Sequence, residues 1–332
     1  MNIGKQTINF KNVYIVDTAS AVGPKEATSK FSKNFDVKCS DIYFGEKTFE
    51  KAESKYLKSA IDSLIIKTGY TNDKIDMIIG GDLLNQCIAT SYAVRDFNLP
   101  FLGMYNACST FVESAIVGSC FIDNNQFSNI ITCASSHFCT AEKQYRLPLE
   151  HGNQKTPTSQ NTVTGAGALL LSNNGKLKIT EATIGKIVDM GIKDINNMGA
   201  AMAPAAFDTI TTYFEDTKKD ITYFDKIITG DLGVLGSEIL IDLCKNAGLD
   251  ISEKHVDCGK EIYDLTKSDT KCGGSGCGCI SSVYSYFNQE LKEKNLNKIL
   301  LIATGALMSP VSMNQNESIH CIAHLIAIEN EV

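Results

Sequence analysis

Asp76-Met77-Ile78-Ile79-Gly80-Gly81-Asp82-Leu83 in the first half of the chain and Asp225-Lys226-Ile227-Ile228-Thr229-Gly230-Asp231-Leu232 in the second are one motif written twice. Each is a short apolar run that stops at glycine and aspartate. After each come a short strand pattern, a Gly/Cys turn, a buried helix and another strand. The spacing repeats too: Cys108 leads by 27 residues to Ser135, and Cys277 by 27 to Thr304. This self-similarity reads as an internal duplication, two units rich in strand–helix–strand related by a pseudo-twofold axis. The halves are expected at residues 1–175 and 176–332, and no linker rich in Pro, Gly or Ser parts them, so one fused body is expected.

Outward from the repeat, short β-branched runs alternate with helical patterns. Strands are expected at 13–16, 77–79, 130–133, 168–171, 226–229 and 299–302. Helices are expected at 47–67, 109–123, 237–247 and 281–294; in the first, Phe49, Ala52, Tyr56, Ala60 and Leu64 share one face. Strands apolar on both faces and separated by helices imply an α/β class with helix-covered, largely parallel sheets. Residues 196–204, small and apolar, read as a pocket cover or crossover loop.

With 332 residues, 43% hydrophobic and 21% charged, the composition excludes disordered and fibrous classes. A net charge of −7 argues against a nucleic-acid backbone or an anionic lipid surface as main partner. Lys5 and Lys11 interrupt the first 17 residues, so no secretory leader is expected, and the 12 cysteines should stay reduced. The stretch 299–316 holds Gly305, Ser309, Pro310 and Asn314, a buried strand and loop and not a spanning helix. Any membrane role then comes through a partner.

The sharpest chemistry is Asn106-Ala107-Cys108-Ser109-Thr110 at the start of a buried helix. A thiol there meets the positive end of the helix dipole, which lowers its pKa and makes an anion pocket; the alternative is one more small buried residue. The second-half loop Gly273-Gly274-Ser275-Gly276-Cys277-Gly278-Cys279 lets backbone N–H groups approach a ligand closely but lacks a Walker lysine. Cys258, Cys272, Cys277 and Cys279 form no C-x2-C pair, so a tight turn is favoured over zinc. His137 follows Ser135-Ser136 at a strand's C-terminal end, where open sheets present ligands; His151, His255, His320 and His324 read as structural. Asp82 and Asp231 could cap the helices that follow them, or meet in a crevice to hold a cation or orient a polar ligand.

The chain closely resembles the stage V sporulation protein AD family, a sporulation branch of the thiolase-like (ketoacyl synthase) superfamily. The resemblance runs almost end to end. It rests on Gly4-Lys5-Gln6-Thr7, Ala21-Val22-Gly23-Pro24-Lys25-Glu26, Gly81-Asp82-Leu83-Leu84-Asn85-Gln86 and Ala107-Cys108-Ser109-Thr110. It continues through Thr162-Val163-Thr164-Gly165, Met202-Ala203-Pro204-Ala205-Ala206, Gly273-Gly274-Ser275-Gly276-Cys277 and Glu317-Ser318-Ile319-His320-Cys321-Ile322-Ala323-His324. It implies a duplicated five-layer αβαβα fold. It also implies binding of dipicolinate (pyridine-2,6-dicarboxylate), alone or as its calcium chelate, with calcium present only as part of the ligand. The implied partners are small integral membrane proteins of the stage V sporulation operon, in dipicolinate uptake during sporulation and release in germination. The implied place is the core face of the forespore inner membrane, and a homodimer is compatible with it.

Condensing enzymes of the superfamily put their nucleophilic Cys where Cys108 stands. They also need a His after the strand equivalent to 226–229 and a His or Asn in the second-half glycine loop; this chain has Gly230-Asp231-Leu232-Gly233 and Gly273-Gly274-Ser275 there. Without a base or oxyanion donors the thiol is not activated, which reads as a disabled enzyme kept as a binding pocket. The alternative is an active Cys-dependent acyl-condensing enzyme using Cys108. The residues expected around the ligand are Asp82, Asn85, Cys108, Ser109, Ser136, His137, Asp231, Ser275, Cys277 and Thr304, with the helix starts at 108–110 and 276–279 each meeting one carboxylate.

Overall fold

The computed structural model describes residues 2–145, 156–267 and 269–331. The first half begins with strands β1 (Thr7–Asn9), β2 (Tyr14–Val22) and β3 (Val37–Lys38), then helix α1 (Phe49–Thr68). It continues through β4 (Met77–Asp82), α2 (Ile88–Val94), β5 (Phe101–Gly103) and α3 (Thr110–Asp123). It closes with β6 (Asn129–Ser136), α4 (Phe138–Tyr145), β7 (Asn161–Thr162) and β8 (Gly165–Ser172). The second half opens with β9 (Leu177–Thr183), α5 (Met198–Thr217), β10 (Lys226–Thr229), α6 (Gly233–Asn246) and β11 (His255–Asp257). There follow α7 (Cys258–Ile262), β12 (Gly274–Ser275), α8 (Cys277–Lys292), β13 (Lys298–Ala306), α9 (Pro310–Asn314) and β14 (Cys321–Asn330).

The strand order β5-β4-β6-β8-β2 is repeated as β11-β10-β13-β14-β9. The two sheets join edge to edge where Tyr14 faces Lys178 and Ile15 faces Leu177 across β2 and β9. In each half two neighbouring pairs are parallel, β4 with β5 and β6, β10 with β11 and β13. The pairs of β8 with β2 and β6, and of β14 with β9 and β13, are antiparallel. The sheets are therefore mixed, not largely parallel. Apolar residues on both faces report that helices cover both sides, and carry no information about strand direction.

Alternation along each strand divides the core into layers. Ile78 and Leu170 pack outward against Tyr56, Leu57 and Ile61 of α1. Ile79, Leu169, Ile228 and Leu301 point inward onto Phe111 of α3 and Tyr284 of α8, the central helical layer. Ile227, Leu300 and Ile302 face Met202, Ile210 and Leu240 of α5 and α6 on the far side. Each of these side chains is fully buried, a contribution of about 1.5–3 kcal/mol apiece. The result is a duplicated five-layer αβαβα fold of the thiolase-like class. α8 lies directly on β8: a Cβ at Gly167 would stand 2.0 Å from the Ser281 carbonyl oxygen, and one at Gly278 2.3 Å from that of Gly165.

α1 starts where Thr48 accepts from the Lys51 N–H and ends at Gly69, whose φ of 69° suits only a residue without Cβ strain. Two expectations change. Residues 196–204 are not a loop, since α5 begins at Met198 and carries Pro204 inside it; Ala200, Ala201, Ala203, Ala205 and Ala206 outweigh one proline. The helices expected from 237 and 281 both begin four residues earlier, at Gly233 and Cys277. Among the described residues no helix is long and apolar enough to cross a membrane.

Candidate functional site

The duplicated aspartates have taken different partners. Asp82 Oδ1 accepts from the Leu84 N–H at 2.8 Å, and Oδ2 from the N–H and hydroxyl of Thr90 at 2.7 and 2.5 Å. It caps the first turn of α2 and is fully buried. Asp231 instead reaches across to the other elements: Oδ1 accepts from the Thr304 hydroxyl at 2.6 Å and Oδ2 from the Gly276 N–H at 3.0 Å. Its charge bears on the Cys108 thiol. The charges of both aspartates bear on Cys277.

The start of α6, left without Asp231, is held by Asp257. Its carboxylate accepts from the N–H groups of Leu232 (2.9 Å), Gly233 (2.9 Å) and Lys260 (2.8 Å) and from the Thr229 hydroxyl (2.7 Å). Asp257 is therefore what positions the β10–α6 turn and, with it, Asp231. The one signal in the sequence is an Asp just before Cys258-Gly259, an N-cap for the short α7.

Cys108 sits in a tight turn ahead of α3. Ala107 is left-handed at φ 49°, uncommon for a residue with a side chain. The Ser109 and Thr110 N–H groups fold back on the Asn106 and Ala107 carbonyls, and Ser109 Oγ donates to Asn106 O at 2.7 Å. Cys108 and Ser275 line a narrow cavity of about 50 Å³. Tyr105, Gln144, Thr162, Met198 and Met308 form much of its wall, and no described lining residue is cationic. Burial, then the charge of Asp231, pushes the Cys108 thiol well above its ordinary range. This reverses the expected lowering by the helix dipole, because a buried carboxylate beside the sulfur outweighs a partial positive end.

The N-terminus of α8 is likewise occupied. Its Gly276 N–H is spoken for by Asp231, and the Gly278 N–H donates to Ser136 Oγ at 3.0 Å. Ser136 passes its own proton to Val163 O at 2.7 Å. The Cys277 thiol donates to Ser135 O at 2.8 Å and is fully buried. A ligand carboxylate directed at 276–279 would meet the protein's own Asp231 there.

His137 lies elsewhere, buried beside Phe49 and Tyr56. Its Nδ1 accepts from the Cys139 N–H at 3.1 Å, so Nε2 carries the proton given to Ile42 O at 2.9 Å; burial pushes its pKa down. His255 contacts the Thr229 hydroxyl at 2.8 Å, and His324 Nδ1 accepts from the Gly185 N–H at 3.2 Å; burial lowers both to about 4. The side chain of Asn85, and all of His151, lie outside the described residues. The structure thus gathers Cys108, Ser109, Asp231, Ser275, Thr304, Ser136 and Cys277 around the two central helix starts, with Asp82 turned to α2 but its charge reaching Cys277, and points the His137 ring elsewhere.

Comparison with known proteins follows the same lines. Solved structures share the fold: 3-oxoacyl-[acyl-carrier-protein] synthase III from Aquifex aeolicus VF5 aligns with a TM-score of 0.59 at 12% identity, covering 96% of this chain and 99% of that one. A variant of Xanthomonas campestris OleA aligns at 0.63 and 13%, covering 97% and 98%. Identity this low speaks for the fold alone. Stage V sporulation protein AD of Bacillus subtilis (strain 168) is 41% identical over 329 residues, 98% of this chain and 97% of that protein. The family model for stage V sporulation protein AD (SpoVAD) matches residues 4–329. With a family match over nearly its whole length and a close full-length relative, this chain belongs to the stage V sporulation protein AD family.

Proposed function

We propose that the protein is a non-catalytic binding protein that holds dipicolinate as its calcium chelate in the Cys108 cavity. In this reading it acts at the core face of the forespore inner membrane with small integral membrane proteins, in uptake during sporulation and release in germination. The observation that carries the reading is Asp231, fixed by Thr304 and Gly276 where its charge bears on Cys108. A histidine beside a thiol can hold a thiolate–imidazolium pair, whereas a carboxylate repels the thiolate and keeps the sulfur protonated. The Gly276 N–H, a donor that could otherwise steady a developing oxyanion, is already turned to Asp231.

A buried acid behind a cavity whose described lining holds no cation disfavours a bare dianion and suits a ligand that brings its own positive charge. Calcium, with its preference for oxygen ligands, supplies that charge only as part of the chelate. The ring enters when Met198 and Met308 swing aside, which their unbranched, flexible side chains permit.

Calorimetry tests this. Equimolar calcium is expected to leave dipicolinate binding at least as tight, and Ala306→Phe, which fills the cavity, is expected to weaken it by about tenfold or more. Weaker binding with calcium sinks the chelate reading. The placement of Cys108 keeps an acyl-condensing enzyme as the second reading. Incubation with acyl-coenzyme A is expected to give no mass gain; a gain that disappears in Cys108→Ala would establish the enzyme instead.

A further inference from the structure

A cavity of about 520 Å³ opens where β10 begins, the end of that strand away from Asp231 and Cys108. That volume falls in the range of about 300–1,000 Å³ typical of small-molecule sites. It lies between β10, β11 and the C-terminal half of α8, with Phe31 brought in from the segment joining β2 to β3. The ring centroids of Phe31 and Tyr286 are 5.1 Å apart, and those of Tyr286 and Phe287 are also 5.1 Å apart. Three rings in contact, with Val256 and Leu296 beside them, make an apolar wall.

Four charged side chains complete the lining. Lys30 and Glu261 pair with each other. Lys226 and Glu290 have no ion-pair partner among the described residues and do not reach one another; Glu290 Oε2 receives only the Asn295 amide, at 3.4 Å. The place of Lys226 is the unusual one. Ile228, two residues on, points into the central layer and pairs with Val256, so alternation turns Lys226 to the same core-facing side. A half-buried ammonium there lacks the counter-charge that buried cations ordinarily keep. Glu290 stands one turn beyond Tyr286 on α8, and its charge bears on that phenol. With two lysines against two glutamates the lining has no net charge, so it favours neither a dianion nor a dication. What it leaves open is one cation, one anion and an aromatic wall.

We propose that this cavity is a ligand site for a small zwitterion with a flat apolar body, the chemistry of an aromatic amino acid: the carboxylate meets Lys226, the ammonium meets Glu290, and the ring lies on Phe31 and Tyr286. No covalent step is involved, and the site stands whether or not the Cys108 cavity holds dipicolinate.

L-phenylalanine is the probe, titrated into the deuterated, nitrogen-labelled full-length protein up to about 20 mM and followed by amide chemical shifts. Saturable shifts are expected at Phe31, Val256 and Tyr286. Phenethylamine lacks the carboxylate and 3-phenylpropionate lacks the ammonium, and each should bind more weakly by about fivefold. Lys226→Met should weaken phenylalanine by about the same factor while binding phenethylamine no more weakly than the parent does. Glu290→Gln should weaken phenylalanine likewise and spare 3-phenylpropionate. The spared analogue also reports that each variant is folded. Shifts confined to Cys108 and Ser275, no saturable shift, analogues that bind as tightly as phenylalanine, or unchanged phenylalanine affinity in either variant would each overturn the proposal.

Discussion

Asp257→Ala is expected to destabilise the protein by about 4 kcal/mol or more, the largest effect of any single substitution at the site. Asp257 is buried and accepts four hydrogen bonds, three of them from backbone N–H groups that begin α6 and α7. Alanine leaves those donors without partners in a place water does not reach, so the desolvation cost of each appears in full. The loss should be read as a fall in the denaturant midpoint at unchanged slope. Asp257→Asn, which keeps an acceptor but must turn an N–H₂ toward donors, should fall between. A midpoint within about 1 kcal/mol of the parent in Asp257→Ala would show that the turn is held by other contacts.

The second large effect is a pH dependence set by Glu53. This residue of α1 is fully buried; Oε1 accepts from the Ser135 hydroxyl at 3.2 Å and Oε2 from that of Thr140 at 2.6 Å. Burial, then the neighbouring charge of Asp82, pushes its carboxyl well above the usual range. The folded protein thus keeps a proton that the unfolded chain releases near pH 4.3. The stability this contributes is complete below that pH and is lost as pH rises toward the folded-state value, with a slope of up to about 1.4 kcal/mol per pH unit. Glu53→Gln is neutral at every pH. The Thr140 hydroxyl can donate instead to His137 O, 3.0 Å away, and accept from the new amide. The variant should be more stable than the parent at pH 7–8 by roughly 1–3 kcal/mol and should flatten the profile, with the smaller slope from Asp82 remaining. Melting curves across pH 5–8 that superimpose would refute it.

Much of the fold was legible because it is periodic and repeated. The runs at 77–79 and 226–229 became β4 and β10, and the matched 27-residue spacings put Ser135 and Thr304 at equivalent strand ends. The placement of Cys108 was legible from the helix it precedes. What the halves do differently was not. Asp82 and Asp231 look alike in sequence, yet one turns to its own helix and the other to Gly276 and Thr304, because the choice depends on which element a distant loop brings within reach. Asp257 carries no motif beyond a local cap, so its four-way role appears only when β11 lies beside β10. His137 followed a promising strand end, but its ring turned into the α1 side of the sheet. Residues 196–204 misled because small apolar residues suit a loop as well as a helix, and the alanines among them favour the helix.

The strand ends and helix starts of the two halves are exchanged. Ser136 of β6 receives the Gly278 N–H at the head of α8, while Gly305 of β13 lies so close to the turn before α3 that a Cβ there would stand 2.3 Å from Asn106 O. Each half finishes the other's central helix. Neither half could keep its present packing alone, so loosening one strand end loosens the helix start of the other half. A change in one half must therefore be tolerated by the other.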